Sequence, residues 1–93
     1  MSKKKHEVLN LDQVPEDEPI FRISAVARIT GISTSTIRYY ESQGLLERRS
    51  KEKGKHRYYS KRDIERIKRI QKLRKENWET PVIRYMLEST KEK

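Results

Sequence analysis

Cysteine is absent from these 93 residues, which excludes disulfides and thiolate metal sites and fits a reducing compartment. Histidine occurs twice, as His6 near the start and His56 within a run of cations, so no His-based catalytic or metal constellation can be assembled. No pair of carboxylates sits in an apolar stretch that could shift its pKa, and the chain is expected not to be an enzyme and to need no cofactor. Long apolar runs are missing too. Nothing approaches the ~18 residues of a spanning helix, and the N-terminus has no apolar signal segment, so no membrane role and a cytoplasmic, nucleoid-associated location are expected. Internal repeats are also lacking. Glycine and proline are scarce, three of each, so each one punctuates the chain.

Charge is what the sequence has in excess. Charged residues make up 40% and hydrophobic residues 32%, close to the composition at which chains stop folding, and the length allows one small domain. The apolar residues cluster with periodicity between Ile20 and Leu87, which predicts a folded domain over 20–88. It is flanked by a mobile polar arm over 1–19, holding Pro15 and Pro19, and a charged tail over 89–93. The net charge of +9 is uneven. From Arg48 to Lys75, fourteen Lys and Arg face three acids, a density that usually meets nucleic acid or an anionic membrane, the latter disfavoured by the lack of apolar runs.

Four helices are expected. In "FRISAVARITGIS", Ile23, Val26, Ala27 and Ile29 fall at helical spacing, with Ser24 as N-cap and Gly31 as terminator. The second helix, 33–43, starts at an N-cap Ser33 and stops at Gly44, so that the two form a helix-turn-helix. On it Ile37 and Tyr40 share a face with the inward-turning Leu45. Thr34, Ser35, Arg38 and Tyr39 lie on the other side, a hydroxyl-rich face with one arginine that suits a helix against DNA. Residues 45–59 read as a hairpin, making a basic wing over 47–59. Ser60 opens a third helix with Asp63 completing a capping box, and Ile64, Ile67, Ile70 and Leu73 form its buried stripe. Asn77 stops it, Trp78 is expected to pack inward, and Thr80 as N-cap with Pro81 at the first helical position start a last helix whose inner face is Val82, Ile83, Met86 and Leu87. The architecture expected is mainly α, a winged helix-turn-helix.

The segments "ISAVARITGISTSTIRYYESQGLL" (23–46), "HRYYS" (56–60) and "LRKENWETPVIRYML" (73–87), in this order and spacing, resemble the DNA-binding domain of the MerR family of bacterial transcription regulators. The resemblance implies that the helix from Ser33 to Gln43 enters the major groove of double-stranded DNA through Thr34, Ser35, Arg38 and Tyr39. It implies wing contacts from Lys55, His56 and Arg57, and a phosphate contact from Arg28. Partners implied are duplex DNA, a second copy in a homodimer or cooperative multimer, and RNA polymerase at a promoter. Asn77 stands where the family commonly has glycine, and His56 where an aromatic or apolar residue is usual. Typical members continue into a long helix that pairs antiparallel in a dimer, whereas this sequence stops at Lys93; a short member and a truncated one are both open. Other readings of the same residues are a DNA-architectural or excisionase-type factor and, from a different class, an RNA-binding module.

Overall fold

A computed structural model describes residues 11–47 and 58–90 of the chain. The order is a 3-10 turn Leu11–Gln13, strand β1 (Phe21–Arg22), helices α1 (Ile23–Thr30) and α2 (Thr34–Ser42), strand β2 (Tyr58–Tyr59), and helices α3 (Lys61–Lys75) and α4 (Thr80–Thr90). The expected mainly helical, winged helix-turn-helix class holds.

Short polar side chains and left-handed residues set most of the boundaries. Ser33 caps α2, its hydroxyl accepting from the Thr36 amide at 3.1 Å. Gly31 and Gly44 end α1 and α2 at φ of 80° and 75°, where a Cβ is strained. Asn77 takes the equivalent place after α3 at φ 65°, its amide bonded to the Arg74 carbonyl and that of Trp78 to Leu73. The Ser60–Asp63 capping box is present in both directions: Asp63 Oδ2 accepts from the Ser60 amide at 2.8 Å, and Ser60 Oγ from the Asp63 amide at 3.2 Å.

One core joins these elements. Val26 of α1, Ile37 and Tyr40 of α2, Leu45 and Leu46 after it, Tyr59 of β2, the α3 stripe Ile64, Ile67 and Ile70, and Ile83 and Leu87 of α4 are buried together. Leu73 packs against the cluster half-buried.

Several local expectations shift. The helix α1 starts at Ile23, ahead of where a Ser24 cap would place it, since Arg22, extended at the end of β1, is the N-cap and Ser24 is exposed inside the helix. Ile29 is exposed because the buried arc of α1 runs through Ile23, Val26, Ala27 and Thr30, from which Ile29 is turned by roughly 110° at 100° per residue. The same arithmetic leaves Val82 outside the Ile83–Met86–Leu87 arc. The helix α4 begins at Thr80, and the Glu79 carbonyl accepts its first amides, from Val82 and Ile83. Trp78 faces outward, its indole N–H donating to Glu76 Oε1 at 3.0 Å; Ile83 and Leu87 cover the α3 stripe in its place.

Two long-range associations were not anticipated. Strand β2 is the end of the return strand expected in a 45–59 hairpin, of which residues 48–57 lie outside the described residues. It pairs antiparallel with β1 and not with 45–47, Phe21 opposite Tyr59 and Arg22 opposite Tyr58, which binds it to the entrance of α1. Residues 14–17 lie along the start of α3: the Val14 carbonyl accepts from Lys61 Nζ, the Glu16 carbonyl from the Arg62 amide, and Asp17 pairs with the Arg62 guanidinium.

Candidate nucleic-acid interface

A three-residue turn, 31–33, separates α1 from α2, and Ile32 reaches back from it to the core. That turn and the burial of Ile37, Tyr40 and Glu41 set the rotation of α2 about its own axis. With those three inside, Ser35, Arg38, Tyr39 and Ser42 fall within about 100° of the opposite side, and all are exposed. Thr34 sits half-buried on the rim of this face. The structure therefore brings Ser35, Arg38 and Tyr39 together as expected, with Thr34 beside them.

The adjacent tyrosines separate cleanly. Tyr40 is 4% exposed and Tyr39 45%, their ring centroids 6.3 Å apart and tilted by 53°. Burial pushes the Tyr40 phenol above its ordinary pKa, with the Arg74 charge opposing and Tyr39 adding to the effect. Tyr40 is thus a neutral core residue, and Tyr39 presents its ring and hydroxyl to the outside.

Cations on α3 and on α2 differ in what they face. On α3, Lys68 lies 3.9 Å from Glu65 and Lys72 3.7 Å from Glu76, so part of the basic run is balanced along its own helix. Among the described residues Arg38 makes no ion pair or hydrogen bond through its side chain. An exposed arginine flanked by serine and tyrosine hydroxyls can fork onto a base edge or a phosphate while the hydroxyls reach backbone oxygens. Arg28 is exposed in the last turn of α1, on a different element. Lys55, His56 and Arg57 lie outside the described residues. Next to them in sequence, Tyr58 is exposed while Tyr59 turns inward, and the Arg22 guanidinium lies 5.8 Å from the Tyr58 ring centroid.

Beneath this face is a residue that the sequence reading left unassigned. Glu41 is 6% exposed, and its Oε2 accepts from the Tyr59 hydroxyl at 2.8 Å, tying α2 to β2 across the interior. A helical wheel carries the signal, for Glu41 falls on the same arc as Ile37 and Tyr40. Arg66 and Arg84 were also unassigned, and nothing in a chain so rich in arginine distinguishes them. Both reach the end of α2, with Arg66 Nε donating to the Leu45 carbonyl and Arg84 to that of Gln43. Among the described residues no three His, Asp or Glu are grouped to hold a metal, and no helix is long and apolar enough to cross a membrane.

Comparison with known proteins agrees with this geometry. Residues 21–90 match the family model described as MerR HTH family regulatory protein. Among curated relatives, the putative heat shock protein HspR of Streptomyces coelicolor is 36% identical over 61 residues, covering 66% of this chain and 40% of that protein. The HTH-type transcriptional regulator ZntR of Escherichia coli is 32% identical over 68 residues, 73% of this chain and 48% of its own length. The chain thus spans less than half of either. Among solved structures, the transcription regulator PbrR691 from Ralstonia metallidurans CH34, in complex with lead(II), superimposes with a TM-score of 0.71 at 26% identity, over 77% of this chain and 56% of its own. On the strength of that fold, the outward face of α2 and a family match that covers most of its length, the chain belongs to the MerR HTH family of regulatory proteins.

Proposed function

We propose that the chain binds double-stranded DNA site-specifically and regulates transcription, with α2 in the major groove. Ser35, Arg38 and Tyr39, with Thr34 at the rim, form the reading face, while Lys55, His56 and Arg57 of the wing and Arg28 of α1 hold phosphates. The observation that carries this reading is Arg38, exposed and without an ion pair among the described residues, between Ser35 and Tyr39 on a helix whose opposite side is anchored in the core. The family membership supports a regulator that works as a dimer on its operator, and contact with RNA polymerase at a promoter follows as the finer form of the proposal. The same reading makes the protein non-catalytic and places it with the nucleoid in the cytoplasm.

The test uses a duplex selected by the protein from a random-sequence pool. With about 4–6 phosphates neutralised, raising salt from about 50 to 200 mM weakens binding by roughly two to three decades. Arg38→Ala costs about 1–3 kcal/mol on the selected duplex and flattens discrimination between sequences, whereas Arg57→Ala weakens all duplexes about equally. Salt-independent binding, or an Arg38→Ala protein that discriminates as well as the wild type, refutes the assignment.

A further inference from the structure

The end of α2 is held by more than its own turn. Gly44 and Leu45 close it through their amides, which bond to the Glu41 and Tyr40 carbonyls at 3.1 and 2.9 Å. That leaves the Gln43 and Leu45 carbonyls, at the negative end of the helix dipole, and a guanidinium from another helix takes each one. Arg84 of α4 donates to the Gln43 carbonyl through Nε at 3.1 Å and Nη2 at 2.5 Å. Arg66 of α3 donates through Nε to the Leu45 carbonyl at 2.7 Å, and its Nη2 lies 3.9 Å from Glu88 Oε2 on α4. Both arginines are partly buried. The fit at Gly44 is close: a Cβ there would stand 3.2 Å from Arg84 Nε, so the glycine provides the room as well as the positive φ.

We infer that Arg84, assisted by Arg66, is a positioning residue for DNA recognition, clamping the C-terminal turn of α2 so that Arg38 and Tyr39 meet the groove at a fixed angle. The inference rests on the proposed function for its consequence and on the geometry above for the clamp itself. The burial of Ile37, Tyr40 and Glu41 sets the rotation of this nine-residue helix, and the two guanidiniums restrain the remaining play of its C-terminal turn. A turn of about 10° about its axis moves a guanidinium carried about 8 Å away by about 1.4 Å, enough to lose a hydrogen bond to a base edge. A lysine cannot replace the clamp, because one ammonium cannot span a carbonyl with two fixed donors as the guanidinium fork does.

Two variants, Arg84→Met and Arg84→Lys, are compared with wild type at a temperature where each is fully folded by its own melting curve. Three quantities are measured: affinity for the pool-selected duplex, affinity for a random-sequence duplex, and amide hydrogen exchange at Gly44 and Leu45. The expected result is an affinity about tenfold lower for the selected duplex in both variants, with under about twofold change on the random duplex. Exchange at the two amides rises by about tenfold or more as the turn loosens. A purely structural role would lower the melting temperature and leave discrimination between folded variants unchanged, and that result overturns the inference. If Arg84→Met does not fold, Arg84→Lys decides by the same criteria. If the wild type prefers no duplex, the proposed function fails instead, and the clamp then stands or falls on the amide exchange alone.

Discussion

Replacing Tyr59 by phenylalanine removes one oxygen from the middle of the molecule and keeps the ring. Tyr59 is fully buried, and its hydroxyl donates to the Glu41 carboxylate at 2.8 Å across 18 residues of sequence. The ring still fills its buried site, so no cavity term arises and the change falls on the polar hydroxyl alone. Hydrogen bonds to charged acceptors contribute about 1.5–3 kcal/mol. At about 4–8 °C per kcal/mol for a domain of this size, the melting temperature falls by roughly 8–16 °C for a mid-range loss of about 2 kcal/mol. Urea denaturation of wild type, Tyr59→Phe, Glu41→Gln and the double variant closes a thermodynamic cycle, and an unchanged m-value certifies that the denatured state is not the source. The coupling expected is about 1 kcal/mol or more. Were Tyr59→Phe to cost under about 0.5 kcal/mol, or the same with and without the Glu41→Gln change, the bond would not be what fastens α2 to β2. Since β2 directly follows the segment proposed as the wing, the same variant tests whether α2 and β2 are held together by this internal contact.

Tyr40→Ala costs about 3–4 kcal/mol by denaturant melt, as truncations of buried aromatic residues do, while Tyr39→Ala stays within about 0.5 kcal/mol; a reversal would mean that α2 is rotated by about 100°. Gly44→Ala destabilises by about 1–2 kcal/mol, from a positive φ together with crowding of Arg84, and a neutral result in the same melt would contradict the left-handed turn. Asp63→Ala removes half of the capping box and the partner of a buried amide, at a cost of about 1–2 kcal/mol that Asp63→Asn recovers in part. Alkaline titration followed by stability measurements shows the Tyr40 contribution intact below the ordinary phenol value of 10.0 and lost as pH rises through it towards the higher folded value; Tyr40→Phe abolishes that component.

Local chemistry was legible along the chain because it depends on neighbours a few residues away. Ser33 and the Ser60–Asp63 pair supply the side-chain acceptors that a first helical turn lacks, Gly31, Gly44 and Asn77 tolerate the left-handed stop, and 100° per residue separates Tyr40 from Tyr39. What periodicity could not decide is how much of each helix is covered. Ile29, Trp78 and Val82 have the composition of core residues, and only the placement of neighbouring helices leaves them outside. The pairing of two-residue strands 38 positions apart, Phe21 with Tyr59, has no sequence signal of its own, because register over so short a stretch is set by packing and not by pattern. The same holds for the reach of Arg66 and Arg84 to the end of α2: α3 offers many similar cations beside Arg66, and only the crossing of the helices brings Arg66 to the Leu45 carbonyl and Arg84 of α4 to that of Gln43. By itself, then, the sequence determined most helix boundaries, the start of α1 excepted, and which side of α2 is polar, since those follow from short-range hydrogen bonding and helical phase. Only the tertiary structure decided what holds that face at its angle, because a long side chain's partner depends on where three helices converge.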